Sequence, residues 1–166
     1  MLAKLSQGRA AYLLGFVASF ALVGIGLYIQ VKDNLEPCPL CIFQRIAFMV
    51  TGALFLLAAL HNAKGLWARV YGVLQFVAAA TGVGIALRHI WIQNHADEVM
   101  AECGAGVAYL FENFPLRKFL QLVFKGTGEC SSVDWTLFGL TIPQLSLVAF
   151  VGLAIYAVVL VFVRKA

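Results

Sequence analysis

Four long apolar runs constrain the fold of this chain more than any other feature. They cover residues 11–29, 42–60, 66–87 and 142–163, and each can cross about 30 Å of hydrocarbon as an α-helix. Hydrophobic residues make up 62% of the chain and charged residues 12%, whereas soluble domains are about 45–50% apolar and about 25% charged. We therefore predict an all-α membrane protein, a four-helix transmembrane bundle that forms a single domain over residues 1–166.

The distribution of charge predicts how this bundle is oriented. Six of the twelve basic residues lie at one side of the predicted spans, where no acidic residue occurs: Lys4, Arg9, Lys64, Arg69, Arg164 and Lys165. Every Asp and Glu lies in the other two connections, residues 30–41 and 88–141. By the positive-inside rule both termini are cytoplasmic and these two connections face outward. The basic residues are thus typical of membrane anchors rather than of a nucleic-acid patch, which would gather them on one solvated face.

Two further patterns concern helix packing. In the third span, small residues predict a face that packs closely against a neighbouring helix; they are Ala78, Ala80, Gly82, Gly84 and Ala86. In the second outward connection, apolar residues repeat at helical spacing from Leu116 to Val123 and alternate with polar ones. This repeat predicts a short periplasmic amphipathic helix that lies flat on the membrane.

A C-x-x-C motif lies where the second span begins. Pro37 and Pro39 flank Cys38 and restrict the backbone on both sides, which predicts a stiff turn there. The helical pattern resumes near Cys41, so the helix dipole and free N–H groups should favour the thiolate of Cys41. Arg45 follows four residues later and should share a helix face with Cys41. These features favour redox chemistry over an inert disulfide or half of a zinc site.

A second pair of cysteines, Cys103 and Cys130, lies in the other outward connection. Disulfides persist in oxidising compartments such as the bacterial periplasm, which agrees with the predicted orientation. A structural bridge between them is one alternative, but glycines flank both cysteines, and a mobile exposed disulfide is the labile kind. The spacing matches zinc knuckles poorly, so we predict no metal site.

Two redox-active pairs suggest a relay. An external dithiol would reduce the mobile pair, and a freed cysteine would then attack the Cys38–Cys41 bridge. Cys41 is the better leaving group because its thiolate is better stabilised. Electrons would reach the membrane edge, where an apolar quinone is the natural acceptor, and Arg45 and His89 could polarise its carbonyl oxygens. Arg88 and His89 could alternatively serve only as interfacial anchors.

The chain resembles the DsbB family of bacterial inner-membrane proteins. The matching residues are Pro37-Cys38-x-x-Cys41 with Gln44-Arg45, then Cys103, Gly128-Glu129-Cys130, Trp135 and Leu140-x-x-Pro143-Gln144. The resemblance implies an enzyme that reoxidises a DsbA-like periplasmic thiol oxidase and passes the electrons to membrane quinone. Because DsbA is itself a strong oxidant, the high-potential ubiquinone suits this reaction better than menaquinone, which stays possible.

The resemblance also implies roles for single residues. Cys103 would form the mixed disulfide with the partner, Cys130 would transfer to Cys38, and Cys41 would contact the quinone. Arg45, His89 and Gln44 would line the quinone site.

One departure from the family pattern is the Pro39-Leu40 dipeptide between the first two cysteines, which should tune the redox potential. Two other functions stay open at this point. One is a reductase similar to vitamin K epoxide reductase, which carries its C-x-x-C near the last span. The other is a non-enzymatic membrane protein with two structural disulfides.

Overall fold

The computed structural model describes residues 9–34, 37–96, 115, 117, 130–131, 135–137 and 139–163. Within these residues lie helices α1 (Arg9–Lys32), α2 (Pro39–Leu60), α3 (Leu66–Asn94) and α4 (Ile142–Val163). A two-stranded antiparallel ribbon of β1 (Thr136–Leu137) and β2 (Leu140–Thr141) precedes α4. Cys103 lies outside the described residues, and so does the amphipathic helix predicted from Leu116 onward except for Arg117, which is helical.

All four helices are long and apolar enough to cross a membrane. Many of their large apolar side chains point outward, including Val17, Leu74, Val148 and Phe162. An aqueous surface would not retain so many exposed apolar groups, whereas lipid solvates them. The helices therefore fit a multi-pass membrane protein, and the predicted all-α four-helix membrane bundle is confirmed.

The helices pack in chain order. α1 packs along α2, α2 along α3 and α3 along α4, while α4 touches α1 and α2 more sparsely. The short link between α2 and α3, residues 61–65, makes these two helices antiparallel neighbours. Between α2 and α4 the rings of Phe48 and Phe150 stack with their centroids 3.8 Å apart. These contacts place the start of α2 beside the end of α3, and we call this the site end of the bundle.

The start of α2 follows from the proline-rich motif. Cys38 is the N-cap in an extended conformation (φ −65°, ψ 158°), and Pro39 occupies the first turn. Proline suits this position because its missing N–H has no partner there in any helix. The helix consequently begins at Pro39, shortly before Cys41. We predicted that the helical pattern would resume near Cys41. The Cys38 sulfur accepts the N–H of Cys41, so the cap itself holds the two cysteines together.

The ribbon ahead of α4 was not predicted from the sequence. Thr136 pairs with Thr141 and Leu137 with Leu140. Gly139 turns the chain between the strands at φ 79°, a conformation that glycine adopts without strain. The ribbon brings Trp135 and Leu137 to the wall of a cavity at the site end.

Candidate functional site

Three cysteines lie among the described residues: Cys38, Cys41 and Cys130. The Cys38 thiol donates a hydrogen bond to the Cys41 sulfur over 3.0 Å. Cys38 and Cys130 are 5% and 1% exposed, whereas Cys41 is only partly buried. The sulfur nearest the open side of the site is therefore Cys41.

Cys130 lies against the first cysteine pair although it is far away in the sequence. Its sulfur, the Cys38 sulfur and a ring nitrogen of His89 all lie within 4.8 Å of one another. Hydrogen bonding of Cys38 to Cys130 and to Cys41, together with burial, raises the pKa of Cys38 above its ordinary range. Cys38 is thus a protonated thiol at neutral pH, which matches its role as donor to Cys41.

The same three residues have the ligand types and proximity that could hold a soft metal ion. The sequence predicted no metal site, because the cysteine spacing differs from that of zinc knuckles. The absence of a metal site stays a prediction.

His89 is held between the thiols and a glutamine. Its Nε2 atom lies 3.7 Å from the Cys38 sulfur, and its Nδ1 atom lies 3.3 Å from the amide nitrogen of Gln44. The imidazole also lies next to Cys130. His89 and Gln44 are each 2% exposed. The neighbouring Arg88 instead packs over the ring of Trp91, 4.3 Å from its centroid.

Arg45 is fixed by helix α1. Its guanidinium donates to the side-chain oxygen of Gln30 over 2.5 Å and to the backbone oxygen of Gly26 over 3.5 Å. Arg45 is also close enough to Cys41 to interact with it electrostatically. A positive charge therefore lies beside the most accessible sulfur, and a second helix determines where that charge points.

A cavity of about 370 Å³ opens beside these residues. Most of its lining is apolar and comes from α1, α2, α4 and the ribbon. Its polar lining consists of Gln30, Cys38, Cys41, Gln44, Arg45, His89, Gln93 and Ser146. Cavities of this size and composition, with few polar groups, are typical of sites for small apolar ligands. The head group of a quinone fits both the volume and the pairing of a cation with an apolar wall.

The structure brings together six of the seven residues that the sequence singled out, and Cys103 lies outside the described residues. Gln30 was missed, although it contacts the predicted Arg45. Its only signal in the sequence is that it is a polar residue just past the end of the first apolar run.

The fold and the site define a membrane-spanning helical bundle with a buried thiol cluster beside an apolar cavity at one end. The protein family described as Disulfide bond formation protein DsbB matches residues 8–160 of this chain. The chain is also 68% identical to the Disulfide bond formation protein B of Methylobacillus flagellatus, over 98% of each chain. It belongs to the DsbB family.

More distant relatives carry the same name. The Disulfide bond formation protein B of Xanthomonas campestris pv. campestris is 47% identical, over 90% of this chain and 87% of its own length. The protein of that name from Nitrosococcus oceani is 45% identical, over 89% and 87%.

Proposed function

We propose that this protein reoxidises a periplasmic DsbA-like dithiol oxidase by disulfide exchange and passes the electrons to membrane quinone. Membership of the DsbB family implies a disulfide-forming oxidoreductase that works with a thiol oxidase. The observation that carries the proposal is the meeting of Cys38, Cys41 and Cys130. Cys38 and Cys41 line an apolar cavity, with Arg45 beside the accessible sulfur.

The first step is exchange with the partner. A thiolate of the reduced partner attacks Cys103 in a Cys103–Cys130 disulfide, and Cys130 leaves as a thiolate. The second thiolate of the partner then attacks the mixed disulfide, which oxidises the partner and frees Cys103. This assignment of Cys103 follows from the resemblance to the family.

The second step joins the two pairs. The Cys130 thiolate attacks Cys38, so a Cys130–Cys38 bond forms, the Cys38–Cys41 bond breaks and the electron pair stays on Cys41. The proximity of the Cys38 and Cys130 sulfurs supports this step. Cys41 is also the better leaving group, because it lies in the first turn of α2 and close to Arg45.

The final step delivers the electrons to the quinone. The quinone supplies the oxidising power by taking up two electrons and two protons to become quinol. Cys41 and Arg45 both line the cavity, so both would lie beside a bound quinone, where Arg45 would stabilise the negative charge that develops on it. Cys103 would then attack Cys130, which re-forms the Cys103–Cys130 disulfide and releases Cys38 as a thiolate. The Cys38–Cys41 disulfide would re-form as two electrons pass from these two sulfurs to the quinone.

The proposed acceptor is ubiquinone rather than menaquinone, since a strong thiol oxidase requires a high-potential acceptor. The proposed location is the bacterial inner membrane, with both termini in the cytoplasm and the cysteine-bearing connections in the periplasm. The arrangement of basic and acidic residues in the sequence supports this orientation.

The variant Cys41→Ser tests the proposal directly. With reduced DsbA and ubiquinone, wild-type protein should form quinol continuously, whereas the variant should form none because no thiolate reaches the quinone. A stoichiometric reaction of the variant with reduced DsbA, measured by thiol alkylation, shows that it is folded. Turnover of Cys41→Ser at the wild-type rate would eliminate the relay.

A further inference from the structure

His89 lies beside the sulfur atoms that exchange, at the wall of the cavity. Its Nε2 atom is 3.7 Å from the Cys38 sulfur, and Cys130 also lies next to the ring. The imidazole therefore contacts both residues between which the Cys130–Cys38 bond must form. Arg45 is anchored differently, by Gln30 and Gly26 on α1.

Gln44 determines which nitrogen of His89 carries the proton. The amide nitrogen of Gln44 lies 3.3 Å from Nδ1, and an amide nitrogen can only donate. Nδ1 must then accept, so the neutral ring carries its proton on Nε2, the atom that faces Cys38. Both side chains are buried, so water does not compete for this contact. The ring is thus held as an N–H donor aimed at the cysteines.

We propose that His89 is the hydrogen-bond donor that aligns Cys130 with Cys38 and stabilises negative charge during their exchange, and that Gln44 is the residue that positions it. This inference rests on the proposed function, and it assigns His89 to the sulfur side of the reaction rather than to the quinone. In the step concerned, negative charge moves from Cys130 over Cys38 to Cys41. The Cys130–Cys38 bond forms as the Cys38–Cys41 bond breaks, and no proton changes place. A fixed N–H beside these sulfurs stabilises the charge without reorganisation of the site.

The experiment measures the two half-reactions separately. Oxidised protein stripped of quinone is mixed with reduced DsbA, quenched in acid and alkylated, and the Cys38–Cys130 bond is quantified by mass spectrometry. Protein reduced with dithiothreitol is mixed with ubiquinone-1, and quinol formation is followed at several quinone concentrations. The variants are His89→Leu, His89→Gln and Gln44→Leu.

We expect His89→Leu to slow the exchange about 10- to 100-fold, the loss that corresponds to one hydrogen bond to a charged group. Its dependence on ubiquinone-1 concentration should stay that of wild type. His89→Gln should restore part of the exchange rate, because its amide can still donate. Gln44→Leu should slow the same step by a smaller factor, because the ring stays in place but its tautomer is no longer fixed.

Two matched controls remove similar side chains elsewhere. Gln75→Leu removes a buried glutamine of α3 that bonds the backbone of Leu54, and His61→Gln changes a histidine beyond the far end of α2. Both should exchange at the wild-type rate.

Wild-type exchange rates in His89→Leu and Gln44→Leu would overturn the inference. A raised requirement for ubiquinone-1 with normal exchange would overturn it as well. If His89→Leu does not fold, as judged by its quinone half-reaction, then His89→Gln and Gln44→Leu decide the matter by the same criteria. Failure of wild-type protein to react with reduced DsbA would instead count against the proposed function, and dithiothreitol would then replace DsbA as the reductant in the exchange.

Discussion

At the scale of single residues, the spacing of the sequence predicted which groups share a helix face but not which groups on other helices hold them. The separation of four residues placed Arg45 next to Cys41 correctly, because α-helical geometry alone determines that proximity. The contact of Arg45 with Gln30 depends on how α1 packs against α2. The proximity of Cys130 to Cys38 depends on the path of a connection that has no periodic pattern. Neither arrangement can be read from local sequence.

The Arg45–Gln30 contact leads to a prediction about quinone affinity. Replacing Arg45 by Ala removes the cation, and Gln30→Leu removes the acceptor that orients it. A hydrogen bond to a charged group contributes roughly 1.5–3 kcal/mol, so Gln30→Leu should raise the apparent KM for ubiquinone by about 10-fold or more. Arg45→Ala should raise this KM further. Steady-state kinetics with varied ubiquinone and saturating reduced DsbA measures both effects.

Gln75→Leu is the control for these two variants, because Gln75 is a buried glutamine that does not line the cavity. An unchanged KM in Gln30→Leu, with a loss confined to kcat, would show that orientation of Arg45 by α1 is irrelevant to binding.

At the scale of secondary-structure elements, the apolar runs predicted the four helices because each run is long and nearly uniform. The predicted small-residue face of α3 was correct in composition, but its register required the structure. Gly82 and Ala86 are buried, whereas Ala78 is only half-buried and Gly84 is exposed. The ribbon could not be predicted, since strands of two residues carry no alternating pattern.

Gly82 and Gly84 provide a matched pair that tests this register. A Cβ atom on Gly82 would collide with the ring of Phe150, which is fully buried and stacks on Phe48. We expect Gly82→Ala to destabilise the bundle by about 1–3 kcal/mol through overpacking. Gly84→Ala meets nothing within 4 Å, so it should be neutral or stabilise the helix by up to about 1 kcal/mol.

Thermal unfolding in detergent measures both variants under the same conditions. Because Phe48 lines the cavity, Gly82→Ala should also weaken quinone binding. Equal melting temperatures for the two alanine variants would contradict the packing of α3 on α4 described above.

At the scale of the whole molecule, the bundle holds a group of basic residues at the end opposite its thiols. Arg9 begins α1, and Lys64 and Arg69 flank the start of α3, so these basic residues lie at the end opposite the cysteine cluster. The sequence predicted this separation from the order of charged residues and spans. It predicted an apolar acceptor at the membrane edge but not the cavity, since the walls of the cavity come from four separate stretches of chain. The central claim is that electrons from a partner dithiol cross this cluster to a carrier dissolved in lipid.

One measurement tests that claim most directly. Purified protein and ubiquinone are placed in oxygen-free proteoliposomes, reduced DsbA is added, and both oxidised DsbA and ubiquinol are quantified over time. We predict one ubiquinol for each disulfide formed in DsbA, because each is a two-electron product, and no oxidation beyond the protein's own disulfides when ubiquinone is omitted. Continued oxidation of DsbA without ubiquinone, or disulfides formed without matching ubiquinol, would contradict the account.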